Sequence, residues 1–238
     1  MAGMVAFTPE MTALVVAPHP DDETLGCGGT IARMTAAGCA VYVVVAFCHD
    51  ADSGELGHGG YVNPSDRCCE FREACAVLGV KDCEVLYQGG VHDVLTGNPA
   101  RLVHDIERGA NLSLAAVRPD VLLMPARGAF HQEHEALHRA CFSAARMGVG
   151  GGRWCPPLVF GYLGPEDFWS TDTPELRVQV DISEHFPTKL DALKIYRRQL
   201  KGSPHPRSVD GIQAFDHAAG LRAGVAYAEE FSAYRITI

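Results

Sequence analysis

Positive charge is scarce in this chain, which argues against one class of partner. The first lysine is Lys81, and 20 lysines and arginines stand against 29 aspartates and glutamates, for a formal net charge of −9. A protein that binds nucleic acid needs a basic surface for the phosphates, and one that docks on an anionic bilayer needs a basic segment. We therefore expect neither nucleic acid nor a membrane as a partner.

Long apolar runs are missing as well. Residues 1–12 contain no basic residue, and the apolar run from Leu14 to Ala17 is far too short for the core of a signal peptide or for a membrane span. We therefore expect a cytoplasmic protein.

The nine cysteines show no C-x-x-C spacing, and their number is odd. Free cysteine packs as a small hydrophobic side chain, and cytoplasmic thiols stay reduced. We therefore expect reduced and mostly buried cysteines. Those that stand beside apolar residues in predicted elements are Cys27, Cys39, Cys48, Cys75 and Cys141.

Apolar side chains are numerous enough for a core, at 47% of 238 residues. No internal repeat, low-complexity tract or linker divides the chain, so we predict a single domain over residues 1–238. Within it, residues 148–182 are predicted to form an irregular extension that contains strands. The sequence leaves the oligomeric state open, and a homo-oligomer is compatible with it.

Strands and helices alternate along the chain. Thr12–Ala17 is predicted as a buried strand, Leu25–Ala37 as a helix and Val41–Phe47 as a second strand. The later predicted elements are a helix from Asn63-Pro64 to near Gly79, strand Cys83–Tyr87, a helix from Asn98-Pro99 to about Val117, strand Asp120–Met124, a helix between Arg127 and Met147, strands Pro157–Tyr162 and Leu176–Val180, a helix from Ser183 to about Leu200 and a last helix Gly220–Phe231. This order predicts an α/β, Rossmann-like, doubly wound fold: a mainly parallel sheet with helices on both faces.

In such a sheet the first and fourth strands are neighbours, and ligands bind beyond their carboxyl ends. The loops that would meet there follow Ala17 and Met124. The first loop reads Pro18-His19-Pro20-Asp21-Asp22-Glu23, and the second leads into His131-Gln132-Glu133-His134. Two histidines and one carboxylate, with one position left open for water, are the usual ligands of a catalytic zinc, and iron(II) or cobalt accepts the same set.

Further residues carry a resemblance to a known family. They are Leu25-Gly26 and Gly28-Gly29, Arg67-x-x-Glu70 with Ala74 and Leu78-Gly79, Asp93, Pro119-Asp120, and Tyr227-Ala228-Glu229 with Phe231. Together with the two histidine clusters, these motifs resemble the zinc-dependent deacetylases related to N-acetylglucosaminyl-phosphatidylinositol deacetylase. The resemblance spans most of the chain, and the two clusters are its specific part.

The resemblance implies hydrolysis of the N-acetyl group of an N-acetylglucosamine-type sugar, a small-molecule substrate. It implies that His19, Asp22 and His134 hold the metal and that Asp21 is the general base. His131, when protonated, would stabilise the oxyanion and could donate a proton to the leaving amine. Glu133, where the family usually has aspartate, would tune a histidine, and Arg67 and Asp93 would contact the sugar.

Several alternatives stay open at this stage. His134-Glu135-Ala136-Leu137-His138 satisfies the H-E-x-x-H pattern of zinc proteases, although it leaves His19 without a role. Gly26-Cys27-Gly28-Gly29 could suggest dinucleotide binding, but the spacing differs from G-x-G-x-x-G. The sugar could be free or part of a thiol precursor or a secondary-metabolite glycoside, and the substrate could also be a larger amide conjugate. Asp21 or Asp22 could cap the following helix.

The sequence does not decide whether several other polar and aromatic residues line the substrate pocket. They are His49, Asp50, Asp52, His58, His92, Asp216, His217, Trp154 and Trp169.

Overall fold

The computed structural model describes residues 6–48, 64–88, 98–148, 152–167 and 176–238. The strands within these residues form one seven-stranded sheet in the order β3-β2-β1-β4-β5-β7-β6. They are β1 (Thr12–Ala17), β2 (Ala40–Cys48), β3 (Asp82–Gln88), β4 (Val121–Pro125), β5 (Leu158–Tyr162), β6 (Arg177–Asp181) and β7 (Ala228–Ile236). Strands β1 to β5 pair in parallel, whereas β7 is antiparallel to both β5 and β6.

Strand β1 is apolar from Ala13 to Ala17 because both of its faces are covered. Ala13 and Val15 pack into one core cluster with Ile31 of the first helix, and Leu14 and Val16 pack into a second cluster on the opposite face. Successive side chains of a strand point to opposite faces, so two cores demand an uninterrupted apolar run. The predicted doubly wound α/β fold is confirmed.

Helices lie between the strands. They are α1 (Asp22–Ala36), α2 (Pro64–Val77), α3 (Pro99–His104), which continues as a π-helical turn (Asp105–Gly109), α4 (Leu114–Val117), α5 (Gln132–Ala144), α6 (Phe186–Leu193) and α7 (Val209–Ala223). None of the helices in the described parts of the chain is long and apolar enough to cross a membrane. All nine cysteines are free, and the five named above are buried, as predicted.

The predicted last helix, Gly220–Phe231, is wrong. Helix α7 ends at Ala223, where Gly224 adopts φ +73°, a left-handed conformation that stops helices and suits glycine. The chain then turns into β7, which fills the gap between β5 and β6. Tertiary pairing therefore decides the structure of Ala228–Ile236, whose alanines and glutamates favour a helix only locally.

Two other predicted helices are shorter than expected. The helix from Asn98 to Val117 breaks at Ala110, which is extended, and restarts where Ser113 caps α4 by accepting a hydrogen bond from Ala116 N. The helix predicted from Ser183 begins only at Phe186, because the Ser183 hydroxyl donates to Asp181 Oδ1 at 2.6 Å instead of capping.

The glycines at the start of α1 let this helix lie close to the sheet. A Cβ atom on Gly26 would meet Tyr162 Cδ2 at 2.2 Å, and one on Gly29 would meet Ile182 Cδ1 at 2.6 Å. Tyr162 in turn donates a hydrogen bond to Val16 O at 2.9 Å. This close packing at Gly26 and Gly29 holds the start of α1 against the sheet.

Helix α1 is kinked at Cys27 and is supported there by the C-terminal part of the chain. Glu229 of β7 accepts hydrogen bonds from Gly29 N at 2.9 Å and Thr30 N at 2.7 Å. Lys189 Nζ lies 2.8 Å from Glu229 and 2.7 Å from Asp216. All three groups are buried, and the one lysine can balance the charge of only one of the two carboxylates.

Candidate metal centre

The two histidine clusters meet at the carboxyl ends of β1 and β4, which are adjacent strands. His19 and Asp22 follow β1, and His134 lies in the first turn of α5, after β4. One ligand atom from each of the three residues lies within 4.8 Å of the others. The two loops therefore meet as predicted, and they bring the three predicted metal ligands together.

Asp22 lies at the centre of this cluster. Its Oδ2 atom is 3.1 Å from His19 Nδ1 and 3.2 Å from His134 Nε2. Ligands about 2.0–2.1 Å from a tetrahedral zinc lie about 3.3 Å apart, so the spacing fits such an ion. Burial raises the pKa of Asp22, but the charge and hydrogen bond of His134, with those of His19, outweigh it and hold the pKa well below the usual range. The carboxylate is thus ionised and suited to a cation.

The second nitrogen of His19 faces a different partner. His19 Nε2 forms a short hydrogen bond with Glu133 Oε2, and a carboxylate can only accept. Nε2 therefore carries a proton that is engaged with Glu133, and Nδ1, which lies 3.1 Å from Asp22 Oδ2, is the nitrogen that would bind a cation shared with Asp22. Carboxylates commonly orient metal-binding histidines in this way. Glu133 does contact a histidine, as expected, and the ring that it contacts is His19.

A second group of side chains could also hold a cation. One ligand atom from each of His19, His131 and Glu133 lies within 4.8 Å of the others. This group uses Nε2 of His19, whereas the first uses Nδ1. The first group matches the predicted ligand set.

Asp21 lies beside the cluster, and its side chain is 2% exposed. It occupies the position before α1 but makes no side-chain capping bond, so the capping interpretation is wrong for this residue. Burial raises its pKa to about 6, with Arg207 acting in the opposite direction. A carboxyl group with such a pKa can accept and release a proton near neutral pH.

Glu23 lies beneath the loop that carries these residues. Its carboxylate accepts hydrogen bonds from Tyr196 Oη at 2.6 Å and from Asp21 N at 3.1 Å. Complete burial raises its pKa to about 7. Glu23 thus ties the backbone of Asp21 to the core, a role that its position in the motif alone does not reveal.

His131 is the residue before α5, and its ring centre lies 5.2 Å from that of His19. Its Nδ1 atom accepts a hydrogen bond from Glu133 N at 3.3 Å, so the neutral ring carries its proton on Nε2. Burial and the neighbouring His19 and His134 lower its pKa. This shift favours the neutral ring, which offers one N–H donor, and the catalytic role of His131 stays a prediction.

Of the two residues expected to contact the sugar, the structure describes Arg67 but not Asp93. Arg67 of α2 is buried, and its Nη2 atom donates to Pro20 O at 3.4 Å. Pro20 belongs to the loop between β1 and α1, residues 18–21, which we call the metal loop. Asp93 lies outside the described residues, as do His49, Asp50, Asp52, His58, His92 and Trp169. Substrate binding by Arg67 and Asp93 stays a prediction.

The protease pattern does not assemble a site. Nδ1 of His138 lies 2.9 Å from the carbonyl oxygen of Pro125, and its ring stacks on Phe142 at 6.0 Å between centres. Among the described residues, His138 belongs to neither group that could hold a metal ion. The histidine therefore fixes α5 to the end of β4.

Other unassigned residues also have partners away from the cluster. Trp154 Nε1 donates to Pro119 O at 2.9 Å. Pro119 lies at the amino end of β4, whereas the histidine clusters lie at the carboxyl ends of the strands. His217 contacts Ala226 O at 2.8 Å and is exposed, and Asp216 belongs to the buried group around Lys189.

Sequence reasoning missed Arg207, whose Nη1 atom donates to Asp21 Oδ2 at 3.0 Å. The two residues are 186 positions apart. Arg207 lies between α6 and α7 in a stretch without a recognisable motif, so no local signal pointed to it.

The doubly wound sheet and the cluster at its switch point define a class, the α/β proteins with a candidate mononuclear metal centre beyond the carboxyl ends of their strands. Within that class, residues 14–145 match the family PIG-L: GlcNAc-PI de-N-acetylase. The match covers more than half of the 238 residues, and the chain belongs to this family.

Individual relatives extend the likeness beyond residue 145. The 1D-myo-inositol 2-acetamido-2-deoxy-alpha-D-glucopyranoside deacetylase 1 of Saccharopolyspora erythraea is 28% identical over 252 residues, covering 83% of this chain and 80% of that protein. The probable N-acetyl-alpha-D-glucosaminyl L-malate deacetylase 2 of Bacillus cereus is 31% identical over 219 residues, covering 81% and 85%. The crystal structure of a conserved protein from Thermus thermophilus superposes with a TM-score of 0.72 at 28% identity, covering 96% of each chain.

Proposed function

We propose that this protein is a metal-dependent deacetylase that hydrolyses the N-acetyl group of an N-acetylglucosamine-type sugar and releases acetate. The observation that carries the proposal is the convergence of His19, Asp22 and His134 in a chain of the PIG-L family. The relatives named above, which act on N-acetylglucosamine joined to inositol or to malate, support this substrate class.

The donor set suits a single divalent cation. His19 Nδ1, Asp22 Oδ2 and His134 Nε2 would hold it, and two imidazole nitrogens with one carboxylate oxygen fit zinc, with iron(II) or cobalt as alternatives. When bound there, zinc polarises the amide carbonyl and lowers the pKa of a water molecule to about 7. Glu133 contributes by holding the His19 ring in the tautomer that presents Nδ1.

Asp21 is the general base in this proposal. It takes a proton from the attacking water, whose oxygen forms a bond to the acetyl carbon. The bond between that carbon and the sugar nitrogen then breaks, and Asp21 returns the proton to the leaving amine. Its pKa of about 6 suits both transfers.

His131 stabilises the negative charge that develops on the acetyl oxygen. Its Nδ1 atom is engaged with the backbone of Glu133, so Nε2–H is the donor that remains for the substrate. A fixed donor of this kind typically contributes a factor of about 10² to 10³ in rate. Arg67 and Asp93 are proposed to bind sugar hydroxyls, because an arginine and an acid together supply donors and acceptors.

Acetate release measured alongside metal content tests this function. Wild-type protein is offered N-acetylglucosamine and its inositol and malate glycosides, with His19→Ala and the exposed-site variant His217→Ala as a matched pair. We expect about one metal per chain and acetate release for wild type and His217→Ala, and loss of both for His19→Ala. Metal retained in His19→Ala would refute the ligand set, and wild type with bound metal but no acetate would refute the substrate class.

A further inference from the structure

The carboxylate of Asp21 is not held by the helix that it precedes. The backbone of Asp21 adopts φ 111° and ψ −29°, a left-handed conformation that is uncommon for residues other than glycine. Its side chain makes no capping bond to α1. The direction of the carboxylate therefore has to be fixed by another group.

Arg207 provides that contact. Its Nη1 atom donates to Asp21 Oδ2 at 3.0 Å, and its Nε atom donates to Glu166 Oε2 at 2.6 Å. A guanidinium group is planar, and its donors keep fixed angles, so two carboxylates bound to different edges determine its orientation. The ion pair thus links the metal loop to the loop after β5.

The main chain around Arg207 is fixed as well. Arg207 N donates to His205 Nδ1 at 3.0 Å, and the next residue, Ser208, caps α7 by accepting from Gly211 N at 3.0 Å. The Arg207 side chain is 21% exposed, whereas that of Asp21 is 2% exposed. Arg207 is therefore anchored at its backbone, and its guanidinium group is still within reach of solvent.

We propose that Arg207 is a positioning residue for deacetylation: it fixes the Asp21 carboxylate in the direction needed for proton transfer, and Glu166 fixes Arg207. This inference rests on the proposed function, in which Asp21 is the base. A displacement of about 1 Å in a reacting group can lower the rate by about 10²-fold. Loss of the contact between Arg207 and Asp21 should therefore lower kcat. The charge of Arg207 also acts on Asp22, but loss of a positive charge does not weaken the attraction of that carboxylate for a cation, so we expect the metal to be retained when Arg207 is replaced.

The test is chemical rescue of Arg207→Ala with guanidinium chloride at millimolar concentrations, below those that unfold proteins. We expect Arg207→Ala to keep its metal and its KM for the substrate and to lose about 10²-fold in kcat. Added guanidinium should occupy the space left by the side chain and restore much of kcat in Arg207→Ala. It should not raise kcat in wild type or in Asp21→Asn. Arg207→Lys, which keeps the charge without the planar fork, should lie between Arg207→Ala and wild type.

Lys201→Ala serves as the matched control, because Lys201 lies in the same connecting segment and its Nζ contacts only Arg198 O, at 3.3 Å, among the described hydrogen bonds. It should keep the kcat of wild type. Wild-type kcat in Arg207→Ala would overturn the inference. So would a loss of kcat that comes with loss of metal and does not respond to guanidinium, because that result marks a purely structural role. Wild type that releases no acetate would instead overturn the proposed function.

Discussion

Glu133 accepts a hydrogen bond from Nε2 of His19, and this contact directs Nδ1 of the same ring at Asp22. The histidine lies in the loop after β1 and the glutamate in the first turn of α5, 114 residues later. The longer side chain of glutamate thus connects α5 to the metal loop after β1. Two consequences for metal binding and catalysis can be tested separately.

Replacing Glu133 should weaken metal binding. In Glu133→Gln the amide no longer fixes the His19 tautomer as a carboxylate does, and loss of such an orienting partner typically costs about 10- to 100-fold in metal affinity. Competition with a metal chelator measures that affinity. Glu135→Gln on the same helix is the control, since the Glu135 carboxylate accepts from Gly128 N and pairs with Arg139, and among the described residues it belongs to neither group that could hold a metal ion. Equal affinity in both variants would remove the orienting role of Glu133.

Replacing Asp21 should separate catalysis from metal binding. Asp21→Asn keeps the shape of the side chain but cannot accept the proton, so we expect unchanged metal content and a loss of about 10²- to 10⁴-fold in kcat. Steady-state acetate release and metal analysis on the same sample measure the two quantities. Full activity in Asp21→Asn would refute the assignment of the base.

The two histidines of the H-E-x-x-H pattern should behave differently. His134→Gln should lose the metal, because one of three ligands is removed. His138→Gln should retain about one metal per chain, because this ring contacts Pro125 O and Phe142. Metal lost from His138→Gln and retained in His134→Gln would contradict this assignment of ligands.

The stability of the protein should depend on pH through Asp216. Burial raises its pKa from 3.8 to about 7, and the nearby Lys189 opposes that shift only in part. One lysine balances one carboxylate, and Glu229 is also bound to it. The folded state therefore holds a proton that the unfolded chain releases above pH 3.8, and the associated stability is lost as pH rises toward 7.

Asp216→Asn removes this titration. We expect the free energy of unfolding of wild type to fall, relative to that of the variant, between about pH 4 and 7. Urea unfolding at a series of pH values measures the difference. A difference that stays constant across this range, or that grows in favour of wild type, would show that Asp216 is ionised in the folded protein throughout.

Gly26→Ala should destabilise the protein through packing alone. The added methyl group would collide with the ring of Tyr162, which is buried and bonded to Val16 O. Overpacking of this kind costs about 1–3 kcal/mol. Gly202→Ala is the control, because a Cβ there meets nothing within 4 Å. Denaturant unfolding should show a lower midpoint for Gly26→Ala only; equal midpoints would mean that α1 can shift without cost.

Local pattern was sufficient for the parallel strands β1 to β5 and for the expectation that the two histidine clusters meet. The apolar runs in β1 and β4 mark strands covered on both faces, and the order of strands and helices makes these two strands neighbours. Their following loops could therefore be expected to converge, which brings His19 and His134 together.

Contacts between residues that are far apart along the chain could not be predicted from the sequence. The segment Ala228–Ile236 is a strand because it pairs with β5 on one side and β6 on the other. Its own sequence pattern does not predict a strand. The ion pair of Arg207 with Asp21 likewise depends on the path of the chain between α6 and α7. Side-chain partners across 186 residues follow from the completed fold and from no local motif.

The bond between Glu229 and the backbone of α1 has a consequence for synthesis of the protein. The amides of Gly29 and Thr30 are made early in translation, and their acceptor is made 200 and 199 residues later. Until β7 has left the ribosome, Gly29 N and Thr30 N lack their acceptor Glu229, and the kinked start of α1 is without these two hydrogen bonds. Residues 14–145 contain the proposed ligands, but a chain that ends before Glu229 lacks the acceptor that supports the start of α1 beside them.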